Sequence, residues 1–287
     1  MILVTGASGN VGSQVVRHLQ ALKTPFRAVY HSQAKLDAAK AAGIDGVIAD
    51  FADAASLDRA MSGVRRVFVV SPSVPQLAEF EKSVVDAARR ANAQHVVLLS
   101  LFHADEDLIF AKAHREVEQH IRSSGLQWTF LRPNGFMQNL FAVAQSIQYT
   151  GQFHFPAGDA KVSHIDTGDI GAVAAKVLTE GPAAHAGKIY ALSGPEALSY
   201  GQMAQTLTEA LGKPVAYIDV PPDAYKQTLL QYGVPGFITD GLIDLYRHYR
   251  ASPSSGEVTP WVEKLTGRPA TRFSDFARGF AAAIRQQ

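Results

Sequence analysis

The sequence predicts an α/β fold: a Rossmann-type, doubly wound parallel sheet with a smaller, mainly helical C-terminal lobe. Three observations predict it. An apolar strand at the start runs into three glycines spaced three apart, Gly6, Gly9 and Gly12. Short β-branched strands then alternate with helical stretches through the first half of the chain. The runs Val67-Phe68-Val69-Val70 and Val96-Val97-Leu98-Leu99 are apolar throughout, as strands covered on both faces require.

The elements follow from the pattern in order. Strands are expected at 2–5, 26–30, 46–49, 66–70, 95–99 and 128–131. Helices are expected at 11–22, 35–42, 55–61, 80–92 and 113–123. After about residue 140 the rhythm changes. Residues 151–158 read as an aromatic-bearing loop and 166–180 as a helix with Asp169 near its positive end. A strand at 188–192 is expected to rejoin the sheet. Helices follow near 200–211, 223–232, 237–249 and 274–284, the last capped by Ser274, with a short strand at 214–219. The expected division is a dinucleotide-binding domain at 1–150, joined by strand 187–193, and a substrate-binding lobe at 151–287 over the open end of the sheet.

Composition narrows the function. The 287 residues are 47% hydrophobic with net charge +1, enough for a sizeable core and no invitation to nucleic acid or an anionic membrane. Cysteine is absent, which excludes disulfides and thiolate chemistry and fits a reducing cytoplasm. The first strand begins at residue 2, leaving no expected secretion signal. No apolar run approaches the length of a membrane span. The ten histidines form no metal-ligand spacing, so no metal is expected.

The glycine segment points to a dinucleotide. Gly6 permits the tight turn, Gly9 admits a pyrophosphate close to the backbone, and Gly12 lets the helix pack on the sheet. The cradle is Gly6, Ala7, Ser8, Gly9, Asn10, Val11 and Gly12, with the helix dipole behind it. The end of the second strand carries no carboxylate for a ribose 2′-hydroxyl; it offers His31, Ser32 and Lys35. That favours NADP(H), with NAD(H) as second candidate. Asp50 and Phe51 follow the third strand, either against the adenine or as a turn and a core ring. Val70, Ser71 and Pro72 close the fourth strand, either lining a ribose or simply ending the strand.

The chemistry is less direct. None of the nine tyrosines has a lysine four residues later, which argues against the Tyr–Lys mechanism of short-chain alcohol–ketone reductases. The segment from His114 to Asn139, with Ser124-Gly125-Leu126, Thr129, Leu131-Arg132-Pro133 and Phe136-Met137, resembles the NmrA-like branch of the atypical short-chain dehydrogenases/reductases. So do the opening glycines and His164-Ile165-Asp166-Thr167-Gly168-Asp169-Ile170-Gly171, and the resemblance spans the whole chain. Within that branch it is most similar to the quinone, azo-dye and triphenylmethane-dye reductases. The resemblance implies hydride transfer from NADPH to a planar electrophilic acceptor, or alternatively a non-enzymatic NADP(H)-binding redox sensor. It also implies that Pro133, Asn134, Gly135 and Phe136 border the nicotinamide. The family often carries a lysine four residues before the position of Glu118; this chain has His114.

His114 is then either a site hydrogen-bond or proton donor, or a helix residue paired with Glu118. Ser100 is either a polar site residue ending the fifth strand or a turn serine. Phe102, Phe136, Tyr149 and Phe153 are candidates for stacking on the aromatic acceptor, against core packing for each. The stripe Leu242/Tyr246/Tyr249 either pairs two copies or packs internally, leaving a monomer or a homodimer open.

Overall fold

The computed structural model describes residues 1–285. The chain begins with alternating strands and helices: β1 (Ile2–Val4), α1 (Gly12–Ala21), β2 (Phe26–Tyr30), α2 (Gln33–Ala41), β3 (Gly46–Ile48), α3 (Ala54–Ala60) and β4 (Arg66–Val69). It continues through α4 (Leu77–Arg90), β5 (His95–Leu99), α5 (Ile109–Ser123) and β6 (Gln127–Pro133). A 3-10 helix (Met137–Val143) then leads into α6 (Ala144–Thr150), β7 (Gln152–Phe155) and β8 (Lys161–Val162). Next come α7 (Thr167–Glu180), α8 (Pro182–His185), β9 (Lys188–Leu192), β10 (Leu198–Ser199), α9 (Tyr200–Leu211) and β11 (Ala216–Asp219). The last helices are α10 (Pro222–Gln231), α11 (Gly236–Ala251), α12 (Trp261–Thr266) and α13 (Phe273–Ile284).

The main sheet has seven strands in the order β3-β2-β1-β4-β5-β6-β9. β1 pairs in parallel with both β2 and β4, so the strand order reverses around it. That reversal is the switch point of a doubly wound sheet, where a crevice opens beyond the strand ends. The expected Rossmann-type α/β class is the observed one.

Two compact units divide the chain: 1–133 with 167–191, and 134–166 with 192–287. The first unit takes back more than the single strand expected at 187–193, because α7 packs on α1. A Cβ at Gly171 would lie 2.5 Å from the Gln14 side chain, so only glycine allows that approach. The core of this unit gathers Leu3, Leu57, Val67, Val84, Val96, Val117 and Phe130 from both sheet and helices.

The second unit has its own aromatic core, built on Phe153, Phe155, Tyr200, Tyr246, Phe273 and Phe280. Residues expected as an aromatic loop instead form β7, which pairs in parallel with β11. Main-chain pairing of Phe153 with Tyr217 places both rings in one cluster. The terminal helix starts at Phe273 with Arg272 at its N-cap, so Ser274 lies inside the helix rather than capping it. The Tyr246/Tyr249 stripe packs internally, both residues being buried.

Candidate functional site

The glycine loop separates structural need from ligand need. Gly6 has φ +56°, and a Cβ there would press on the Val70 side chain at 2.8 Å. A Cβ at Gly12 would sit 2.1 Å from the Gly6 carbonyl oxygen. Both glycines are therefore required by the fold itself. Gly9 differs: its φ is ordinary, and a Cβ would meet only the Gly6 oxygen, at 3.3 Å. It is also exposed. Packing asks less of this glycine than of Gly6 or Gly12, since a Cβ would need only a small shift of one backbone oxygen, and a ligand lying against the main chain would favour it.

Helix α1 begins directly behind the loop. No side chain caps its N-terminus and no acidic residue stands in its first turn, so its positive end is left for an anion. Thr5 ties the loop to the sheet, donating to the Phe68 and Val70 carbonyls and accepting from the Val70 N–H at 2.9 Å.

Of the predicted 2′-phosphate residues, Lys35 reaches this loop. Lys35 Nζ donates to Ser8 Oγ at 3.2 Å, carrying a cation from α2 onto the glycine turn. His31 is exposed and Ser32 half-buried at the N-cap of α2, where its hydroxyl caps nothing. Arg27 points elsewhere, onto the Ala60 and Ser62 carbonyls. Asp50 spends Oδ1 on a turn, accepting from the Ala52 N–H, while Phe51 leans on Phe80.

Ser71 is held from behind. Its N–H and hydroxyl both donate to Glu81 Oε1 at 3.1 Å. Glu81 is 1% exposed and its Oε2 has no partner among the described residues. Burial pushes its carboxyl up to about 8, against the pull of the two Ser71 hydrogen bonds. At neutral pH this is a neutral acid.

The candidate catalytic residues lie behind β5 and β6. Ser100 Oγ donates to Glu118 Oε1 at 2.7 Å, and the residue is buried. Glu118 also accepts from Arg132 Nε at 2.9 Å and Nη2 at 2.7 Å, and Arg132 reaches on to Asp105. The Arg132 guanidinium holds the Asp105 carboxyl below its usual range. The proton of Ser100 is thus committed to a buried ion-pair network that ties β5, α5, β6 and the loop at 101–108 together. This network serves positioning, and sequence reasoning had Glu118 only as a partner of His114.

His114 sits half-buried beside the Glu118 carboxylate. Desolvation pushes its pKa down to about 4, outweighing the Glu118 carboxylate, and its Nδ1 has no partner among the described residues. At neutral pH it is an uncharged imidazole.

The four stacking candidates differ widely in exposure. Phe153 is 0% exposed, locked among Phe155, Tyr200 and Tyr217. Tyr149 is 77% exposed and has no aromatic neighbour among the described residues, so nothing forms a platform around it. Phe102 and Phe136 are half-buried.

In the second unit Asn134 has a structural task. Its Nδ2 donates to Ser163 Oγ at 2.9 Å and to the Ser255 carbonyl at 2.8 Å, while Oδ1 accepts from the Gly135 N–H. Its side chain is not free for a cofactor. Gly135 and Phe136 remain as main chain and ring, fixed by the Ile165–Gly135 hydrogen bond and the Phe136–Ile165 bridge. A Cβ at Gly135 would meet His164 Cδ2 at 3.0 Å and Tyr249 Oη at 3.1 Å. Neither residue stands out in the sequence as a site residue. His164 sat unremarked within a family-like segment, and Tyr249 looked like any member of a helix stripe.

A switch-point sheet with an uncapped helix behind a glycine cradle defines a dinucleotide-binding α/β protein. The sequence profile of the NmrA-like family matches residues 1–272, and the chain belongs to that family. It is 38% identical over 286 residues to an NAD(P)H azoreductase from Xenophilus azovorans, covering 99% of each chain. It superposes with TM-score 0.87 on an NADPH-dependent quinone oxidoreductase from Escherichia coli in complex with NADPH, at 32% identity, covering 97% of this chain and 99% of the other. A Citrobacter triphenylmethane reductase complexed with NADP(H) gives TM-score 0.84 at 26% identity, covering 98% of this chain and 100% of the other. Among the described residues, no helix is long and apolar enough to cross a membrane.

Proposed function

We propose that the protein is an NAD(P)H-dependent reductase that passes a hydride to a planar electrophilic acceptor of the quinone, azo or triphenylmethane type. The observation that carries the proposal is Gly9, an exposed glycine with ordinary φ that packing constrains less than Gly6 and Gly12, beside a lysine reaching onto the same loop. The relatives that share nearly the full length of the chain include an azoreductase and an NADPH-dependent quinone oxidoreductase.

The cofactor residues divide by task. Gly6 to Gly12 and the start of α1 receive the pyrophosphate. Lys35, with His31 and Ser32, receives the 2′-phosphate, which favours NADPH over NADH. Val70, Ser71 and Pro72 line a ribose, with Glu81 fixing Ser71. Pro133, Gly135 and Phe136 border the nicotinamide, and Phe102 and Phe136 flank the acceptor. Bound NADPH supplies the hydride; the protein holds the two reactants together and excludes water. Such acceptors are electrophilic enough to need no strong carbonyl activation, consistent with the missing Tyr–Lys pair. A reductase drawing on NADPH and lacking cysteine suits the cytoplasm.

The test is NADPH oxidation against a panel of quinones, azo dyes and triphenylmethane dyes. Turnover on at least one class is expected. Tight NADPH binding with no turnover on any of them would point to a redox sensor instead.

A further inference from the structure

An acid stands where an apolar side chain would be ordinary. The buried face of α4 runs Leu77, Ala78, Glu81, Val84, Val85 and Ala88, the spacing of a core-facing helix stripe. Glu81 interrupts that stripe and is 1% exposed. A carboxyl this deep is costly unless hydrogen-bond partners require it.

Its partners are the two donors of one residue. Ser71 N–H and Ser71 Oγ each lie 3.1 Å from Glu81 Oε1. Oε1 accepts from the N–H and is therefore the carbonyl oxygen of the neutral acid, which leaves the acid proton on Oε2. The single hydroxyl proton of Ser71 goes to Oε1, the Pro72 carbonyl standing farther off at 3.5 Å. What the half-buried Ser71 still offers is the lone pairs of Oγ. It can accept a hydrogen bond from a ligand and has none to give.

The place of Ser71 gives that polarity a use. It follows β4, the neighbour of β1 where the strand order reverses. The carbonyl oxygen of the preceding Val70 lies 3.1 Å from where a Cβ on Gly6 would be, so Ser71 is one residue from the glycine turn. A phosphate oxygen, itself an acceptor, finds nothing to bond at Oγ; a sugar hydroxyl does.

We propose that Glu81 is a positioning residue that holds Ser71 as an acceptor-only group, so that this point of the cofactor site takes a ribose hydroxyl and rejects phosphate. This rests on the reading of the glycine loop as the pyrophosphate cradle. Burial keeps the acid protonated at neutral pH, so Glu81 fixes Ser71 without setting a negative charge near an anionic cofactor.

Calorimetric titration at neutral pH, with NADPH and with adenosine 2′,5′-bisphosphate, tests it on wild type, Ser71→Ala, Glu81→Leu, Glu81→Gln and the double variant of Ser71→Ala with Glu81→Leu. Ser71→Ala removes the hydroxyl alone and is expected to weaken NADPH binding about five- to ten-fold, the scale of one net hydrogen bond. Glu81→Leu frees Ser71 and is expected to lose a similar factor, and the double variant to lose no more than Ser71→Ala. Glu81→Gln keeps an oxygen for Ser71 and is expected to bind within about two-fold of wild type, a rescue that a general loosening of α4 would not give. A loss shared by the bisphosphate assigns the hydroxyl to the adenosine ribose; a loss confined to NADPH assigns it to the nicotinamide ribose. Ser71→Ala binding NADPH as tightly as wild type overturns the proposal and leaves the dinucleotide reading intact, and it decides alone if Glu81→Leu does not fold. Losses that add in the double variant overturn the role of Glu81. A wild type that binds no NADPH overturns the reading of the loop, and the proposal with it.

Discussion

Replacing Glu81 by glutamine should change how stability depends on pH. In the folded protein the carboxyl stays protonated up to about 8, because burial outweighs its two Ser71 hydrogen bonds. In the unfolded chain it ionises near its ordinary value of 4.5. Between those values the folded state binds more protons than the unfolded state, so stability falls as pH rises through the window. Below 4.5 the contribution is constant, and above about 8 the loss is complete. At about 1.4 kcal/mol per pH unit, the window allows a total loss of roughly 5 kcal/mol. Glutamine keeps an oxygen for Ser71 and cannot ionise, so the variant lacks this slope. Its buried amide leaves a donor unmet, a fixed offset of about 1–3 kcal/mol at every pH. The diagnostic is therefore the slope of the difference, not its size. Urea unfolding of both proteins, from mildly acidic to mildly alkaline buffer, measures it. Glu81→Gln should gain steadily on wild type as pH rises. Parallel stability curves would show that the carboxyl ionises normally in the fold and refute the reasoning.

The remaining predictions concern the site. Lys35→Ala should weaken NADPH binding by about ten-fold, or about 1.4 kcal/mol, and leave NADH binding nearly unchanged; fluorescence titration with both cofactors checks it. His114→Gln should leave the pH–rate profile without a lost limb near neutrality, because the imidazole is already uncharged there; disappearance of such a limb would restore a proton-transfer role. Glu118→Ala should cost about 3–5 kcal/mol in denaturant unfolding, since it leaves the buried Arg132 guanidinium without its two charge-assisted hydrogen bonds from Nε and Nη2.

The sheet was legible because its strands are continuous apolar runs and its loop is punctuated by glycines that the backbone requires. Strands β1 to β6 and helices α1 to α5 follow the expected segments closely. The stretch 152–155 falls in the segment 151–158 that reads as a loop, because its partner β11 lies some sixty residues on, a pairing that no local pattern reveals. The site divides in the same way. Lys35 stands out in the sequence as the cation just after β2, and the structure brings it onto the glycine loop. The fates of Ser100 and Asn134 could not be read there, because each is decided by partners distant in sequence, Glu118 for one and Ser163 with Ser255 for the other. The burial of His114 and Phe153 was no more legible: an aromatic or imidazole in sequence carries no sign of how much water it will keep.

Calorimetric titration of NADPH into the wild type and into Gly9→Val tests the central claim most directly. A valine there adds bulk at an exposed position whose one tight contact is the Gly6 carbonyl oxygen at 3.3 Å, so the fold should persist with a small local shift. Saturable heat in the wild type and none in a folded Gly9→Val is the predicted result. A wild type silent at millimolar NADPH, or a variant that binds as well as the wild type, would contradict the account.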